Sequence, residues 1–206
     1  MTATTGRRGR PGYSLDSLLG VAVDVFIERG FEATSMEELA ARLGVTKSAI
    51  YHHVRSKGEL LRLALDRALD ALFAVTEELG ATSGRAIDRL EHVVRGSVHV
   101  LAAELPFVTL LLRVRGNSEV ERAALQRRRQ FDRFVTGLVR EAETDGDVRP
   151  DVDPAVTSRL LFGTVNSLTE WYRPDGGLTP DDLADALVTT TFAGLRTSQA
   201  GSGLGA

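Results

Sequence analysis

Residues 34–57 read TSMEELAARLGVTKSAIYHHVRSK. Ser35-Met-Glu-Glu38 has the spacing of a capping box, in which a hydroxyl and a carboxylate three residues apart satisfy the first free N–H groups of a helix. The helix it opens places Met36, Leu39, Ala40 and Leu43 on one stripe at i, i+3, i+4 and i+7. Gly44 forces a turn, and a third short helix is expected from about Thr46 to His53. Two short helices joined by a tight glycine turn are the helix-turn-helix plan. Leu39, Ala40, Leu43, Val45, Ala49 and Ile50 then face inward and fix the crossing, while Lys47, Ser48, Tyr51 and His52 point outward from the second helix.

The pattern extends in both directions. Upstream, Leu15, Leu18, Leu19, Ala22, Val25 and Phe26 form one helical stripe, with Ser14 as its cap and Gly30 as its left-handed end. Downstream, Ser56-Lys-Gly-Glu59 is a second capping box that opens a long helix through Leu60, Leu61, Ala64, Ala68, Leu72 and Val75. Further helices are expected over 84–104, closed by Pro106, and over 118–144, with the apolar run Phe107–Leu112 between them as an internal segment. Asp153-Pro154 and Thr179-Pro180 each place a cap before a first-turn proline, so the last two helices begin there and cover about 154–172 and 180–196. No segment reads as a strand. The fold class is therefore all-α, with about nine helices: an N-terminal three-helix helix-turn-helix domain and a C-terminal helical bundle. The expected divisions are a flexible basic arm at 1–13, the helix-turn-helix domain at 14–57, a ligand-binding and dimerisation domain at 58–196, and a disordered tail at 197–206.

Composition narrows the function classes. Hydrophobic residues make up 43% of the 206, enough for a core. No run approaches the roughly 18 apolar residues of a membrane span, and no apolar stretch follows the N-terminal arginines, so a cytoplasmic protein is expected. The absence of cysteine excludes disulfides, thiolate metal sites and a cysteine nucleophile. The net charge of −3 conceals an asymmetry, because residues 1–62 carry nine basic side chains against seven acidic ones. The surplus of positive charge sits where a polyanion would bind.

The outward set on the second short helix suits a major groove, where hydroxyl, ring and amine groups reach base edges and phosphates. Lys57, at the next helix N-terminus, is placed for a phosphate contact. Arg7, Arg8 and Arg10 form an arm able to follow the backbone or enter a minor groove. The stretch VDVFIERGFEATSMEELAARLGVTKSAIYHHVRSKGELL (23–61) resembles the DNA-binding domain of the TetR family of regulators. Phe26, Gly30, Thr34, Leu39, Ala40, Gly44, Val45, Ile50, Tyr51, Val54, Lys57 and Leu60 carry the likeness. The resemblance implies a homodimeric all-helical regulator, probing double-stranded DNA with Thr46, Lys47, Ser48, Tyr51, His52 and Lys57, with Thr34 and Ser35 beside them. Where many relatives have Tyr-Xaa-His/Tyr-Phe, this chain has Tyr51-His52-His53-Val54.

The C-terminal half is less explicit. Residues 161–183, with Asn166 and Trp171-Tyr172-Arg173-Pro174, are similar to a TetR subgroup that governs fatty-acid, sterol or aromatic-acid breakdown and senses acyl-CoA thioesters. That likeness implies a small-molecule effector. Phe107, Leu111, Phe131 and Phe134 are candidates to line an apolar slot, with Asn166 and Trp171 beside it. Arg113 and Arg127, the latter opening the run Arg127–Arg129, are candidates for phosphate contacts, since guanidinium suits bidentate pairing. Taken singly, the apolar side chains are more often core than pocket, and an arginine run on a helix is usually a solvated face. Another lipophilic or aromatic acid is the alternative effector.

His92 and His99 share a helix face but are seven apart, which does not suit a two-ligand metal site. No metal and no cofactor are expected. No nucleophile elbow, Gly-rich phosphate loop or metal motif points to an enzyme. The homodimer is expected to form through the last two helices, from Leu160, Leu161, Thr164, Val165 and Leu168 against Leu183, Leu187, Val188 and Thr191, with Gly163 and Ala184 allowing close approach.

Overall fold

The computed structural model describes residues 14–196, which contain ten α-helices and no strand. The expected N-terminal arm, with Arg7, Arg8 and Arg10, and the expected tail at 197–206 lie outside the described residues. The helices are α1 (Leu15–Arg29), α2 (Met36–Leu43), α3 (Lys47–Tyr51), α4 (Lys57–Glu77), α5 (Leu79–Thr82), α6 (Ala86–Ala103), α7 (Leu105–Arg113), α8 (Glu119–Thr144), α9 (Pro154–Trp171) and α10 (Pro180–Leu195). The chain divides into two compact units at Ala64/Leu65, inside α4.

The first unit is capped as its sequence demands. Ser14, Ser35 and Thr46 each accept the backbone N–H three residues on, opening α1, α2 and α3. At Ser56 the box is modified. Its hydroxyl accepts Glu59 N–H at 3.1 Å, while the Glu59 carboxylate reaches back to Arg55 N–H at 2.6 Å. Gly44 has φ +64° and ψ +32°, the left-handed geometry that ends α2 and admits glycine without strain. Gly30 also has positive φ but ψ 151°, outside the left-handed helical region expected for it. The chain leaves α1 extended, and the buried Thr34 hydroxyl donates to the Gly30 carbonyl at 2.8 Å. Leu18, Val23, Phe26, Leu39, Ile50 and Leu60 are fully or almost fully buried in this unit.

The second unit is built around α6, which packs against α5, α8, α9 and α10. Ile87, Leu90, Val93, Val94, Val98 and Leu101 give it a continuous buried stripe. Gly96 lets α4 approach, because a Cβ there would lie 2.4 Å from Val75 Cγ1. Pro106 does more than close the preceding helix. It sits in the first turn of α7, where its missing N–H is harmless, and α6 and α7 meet at a bend of 102°. The run expected as an internal segment is therefore itself a helix. Arg67 of α4 secures this corner, donating to Glu104 at 2.6 and 3.2 Å and lying 4.2 Å above the Phe107 ring.

In α9 and α10 the structure separates two faces that the sequence pattern had merged. Leu161, Val165, Leu168, Leu183, Ala184, Leu187 and Val188, expected to meet a partner subunit, are buried within the same chain. Leu160, Gly163 and Thr164 remain exposed.

Between α7 and α8 the loop folds around a carboxylate. Glu121 is buried, and its Oε2 accepts the consecutive N–H groups of Arg115, Gly116 and Asn117 at 3.0, 2.7 and 3.0 Å. Three aligned donors make an anion nest, filled here from within. Glu121→Ala should strand those donors, costing about 2 kcal/mol and lowering the melting midpoint by about 4–8 °C. A midpoint within about 1 °C of wild type would contradict this account of the loop.

Candidate DNA-reading and effector sites

A five-residue helix has no stability of its own. α3 exists because Thr46 caps it and because Ile50 and Val54, both buried, anchor its inner side. Lys47, Ser48, Tyr51 and His52 are all exposed, with Thr46 at the head of the same surface. Tyr51 shows 45% of its surface to solvent, although an aromatic ring would gain by burial. The Lys47 ammonium bonds Glu37 of α2 and lies 6.0 Å from the Tyr51 ring. That hydrogen bond raises the Lys47 pKa and lowers that of Glu37. Such an exposed pair is weak, so a phosphate can replace the carboxylate at little loss.

The other expected DNA contacts are placed differently. Thr34 is only 3% exposed, and its hydroxyl is taken by Gly30. Ser35 is exposed but serves as the α2 cap. Lys57 turns its ammonium to the carbonyls of Phe31, Thr34 and Glu32 at 2.7, 2.9 and 3.3 Å, and stands 4.3 Å over the Phe31 ring. It thus staples the loop that precedes α2 to the start of α4. Sequence reasoning located the residue and missed this role, because nothing local marks the carbonyls as its targets.

The second unit holds a cleft with a cavity volume of about 60 Å³, partly open to solvent. Five helices line it. Ala68 and Leu72 come from α4, Leu101 from α6, and Val108, Leu111 and Leu112 from α7. The far walls are Phe131 of α8 with Phe162, Val165 and Asn166 of α9. Phe131 stacks edge-on between Phe73 and Phe162, with centroids 6.0 and 5.1 Å away. This lining suits a mainly apolar guest.

Of the expected ligand contacts, Leu111, Phe131 and Asn166 line the cleft. Phe107 lies beneath Arg67. Phe134 packs half-buried against the core, and Arg113 is exposed at the end of α7. Arg127 is engaged by Asp66 and Asp70 at 3.1 and 2.6 Å and covers Phe73. Trp171 borders a separate shallow hollow with Tyr172, Arg173 and Leu178. Two polar lining residues, Arg128 and Asp132, were not anticipated. For Arg128 helical register carried the signal: 124, 128, 131, 135 and 138 form one stripe, and all but 128 are buried in α8.

The two helical histidines have separate partners. His92 meets Glu78 at 2.7 Å and His99 meets Asp181 at 3.2 Å. Among the described residues no group of three or more His, Asp and Glu side chains gathers to hold a metal. No single helix among them is long and apolar enough to cross a membrane.

Comparison with known proteins agrees with these two units. Residues 18–64 match the family model "Bacterial regulatory proteins, tetR family", and residues 83–195 match "Tetracyclin repressor-like, C-terminal domain". The chain belongs to the TetR family of transcriptional regulators. It is 28% identical to the transcriptional repressor KstR2 of Rhodococcus jostii, covering 93% of this chain and 94% of that one. A TetR-family regulator from Streptomyces coelicolor A3 is similar in structure, with a TM-score of 0.82, 51% identity, and 95% and 96% of the two chains covered. The regulator AibR, solved with isovaleryl coenzyme A and operator DNA, superposes with a TM-score of 0.73 at 26% identity, over 86% of this chain and 97% of that one.

Lys57→Met should keep the stem packed but lose the bonds to the three carbonyls, destabilising the first unit by about 1–3 kcal/mol. Hydrogen exchange of the α2 and α3 amides reads this directly, and unchanged protection would show the staple to be idle.

Proposed function

We propose that the protein is a ligand-responsive repressor, bound as a homodimer to a palindromic operator and released by a small molecule held in the cleft of its second unit. The observation that carries this reading is the exposed set Thr46, Lys47, Ser48, Tyr51 and His52 on a helix held rigid from within. An effector preferring one arrangement of a dimer shifts the spacing of two such reading heads and so shifts affinity for DNA. A dimer seated on a promoter blocks transcription without further contacts, which favours repression, and the action is cytoplasmic. The proposed effector is an acyl-CoA thioester, supported by the isovaleryl coenzyme A in AibR. The second reading keeps the DNA role with a free lipophilic or aromatic acid, and the mainly apolar cleft is what favours it.

The outer stripe of α9 supports the dimer. Val156, Leu160, Thr164, Ser167 and Trp171 recur every three or four residues on one exposed face. Val156, Leu160 and Trp171 are 50%, 68% and 51% exposed. Exposed Ala186, Thr189, Thr190 and Ala193 give α10 a small-residue surface that permits close helix approach. Two copies of this pair make a four-helix seam with two-fold symmetry, matching a palindrome.

Three outcomes are expected. A footprint on DNA flanking the protein's own gene should cover a palindrome and be lifted by an acyl-CoA; protection that no acyl-CoA or free acid disturbs would overturn the effector reading. Tyr51→Ala should weaken binding to that DNA by about 10–100-fold at fixed salt, with circular dichroism unchanged. Undiminished affinity would remove α3 as the reading helix. Leu160→Glu should turn the dimer into a monomer in sedimentation, and a persisting dimer would place the seam elsewhere.

A further inference from the structure

The cleft of the second unit carries three polar side chains that the protein leaves poorly partnered. Arg128, half-buried, makes one hydrogen bond among the described residues, to the Leu111 carbonyl at 3.4 Å. Among the described residues no carboxylate forms an ion pair with it, in contrast to its neighbour Arg127. Asp132 lies one helical turn along α8 and borders the same cleft at its exposed edge, near Arg133 and Arg159, and its carboxylate accepts no hydrogen bond from a described residue. The side-chain amide of Asn166, on the α9 wall, has none either. Ser97, also at the cleft, differs because its hydroxyl is satisfied by the Val93 carbonyl at 2.7 Å.

Burial disfavours both charges. It lowers the Arg128 pKa and raises that of Asp132, against their mutual attraction. An apolar residue would suit position 128 better if packing alone mattered, since an underpartnered, half-buried charge in an apolar setting destabilises the fold. The arrangement is accounted for if a guest supplies the missing partners.

We propose that Arg128, Asp132 and Asn166 form the polar end of the effector site. There they select an apolar molecule whose terminus bears an oxygen acceptor, carboxylate or carbonyl, with a hydrogen-bond donor close beside it. The acceptor meets the Arg128 guanidinium, the donor (a hydroxyl or an amide N–H) meets the Asp132 carboxylate, and Asn166 serves either from the opposite wall. Residues at i and i+4 stand about 5–6 Å apart at Cβ, so the guest's two groups must be separated by only a few bonds. A 3-hydroxy acid meets this requirement and a simple alcohol does not. This inference rests on the effector reading given above.

The test uses the full chain with decan-1-ol, decanoate and 3-hydroxydecanoate as probes, followed by thermal shift and by release of the footprinted duplex. Stabilisation should rise in that order, and 3-hydroxydecanoate should act at about tenfold lower concentration than the alcohol, or less. Arg128→Met should abolish the advantage of acid over alcohol, and Asp132→Asn the advantage of the hydroxy acid over the plain acid. Without any probe, Arg128→Met should unfold at the same temperature as wild type or higher. A clear fall in that midpoint would make the arginine structural and overturn the proposal. Equal shifts by all three probes, or none by any, would overturn the assigned chemistry. The effector reading itself fails only if the acyl-CoA footprint experiment fails too.

Discussion

The proposed reading of DNA depends on keeping α3, a helix too short to persist alone, in one orientation. Five residues fix more backbone freedom than their few internal hydrogen bonds can offset. The missing stability comes from outside the helix. Thr46 caps it, Gly44 sets the turn before it, and Ile50 and Val54 anchor it to the core of the first unit. Lys57 adds a staple to the carbonyls of residues 31, 32 and 34. With the inner side so fully occupied, the polar side chains lie on the exposed outer side, where Lys47 meets Glu37. Presentation of the outer α3 surface is thus a consequence of packing.

The second unit applies the same rule to a different end. α6 is buried along one stripe and surrounded by neighbours, so it provides a rigid floor. The cleft opens where α7 leaves that floor at a sharp bend, and ionic contacts brace its surroundings. Arg67 holds the corner at Glu104, Arg127 ties α8 to α4, and Glu121 gathers the loop after α7. Each of those charges has its partners inside the protein. Arg128 and Asp132 differ in forming no ion pair among the described residues, which is the ground for the proposed polar end of the cleft.

Much of this was legible in the sequence. Caps and prolines located α1, α2, α8, α9 and α10 to within a residue or two, because a hydroxyl or carboxylate at an N-cap acts on backbone only three residues away. The outward face of α3 followed from helical periodicity for the same reason. Long-range geometry was not legible. α5 is one turn with no strong signal, and Pro106 is compatible with ending one helix or starting another. The Lys57 staple spans more than twenty residues of chain, and no local pattern announces it. The apolar residues of α9 and α10 could serve core or seam, and only the packed structure divides them. Arg128 was hidden within a run of three arginines until the register of α8 separated its face from that of Arg127.

The central claim is that the α3 surface reads base sequence from two symmetry-related copies. Selection of bound duplexes from a random pool tests it most directly. The account predicts enrichment of a palindrome with two half-sites whose centres lie about one helical turn, or a multiple of it, apart. Enrichment of no motif at all, with affinity governed by salt alone, would contradict it.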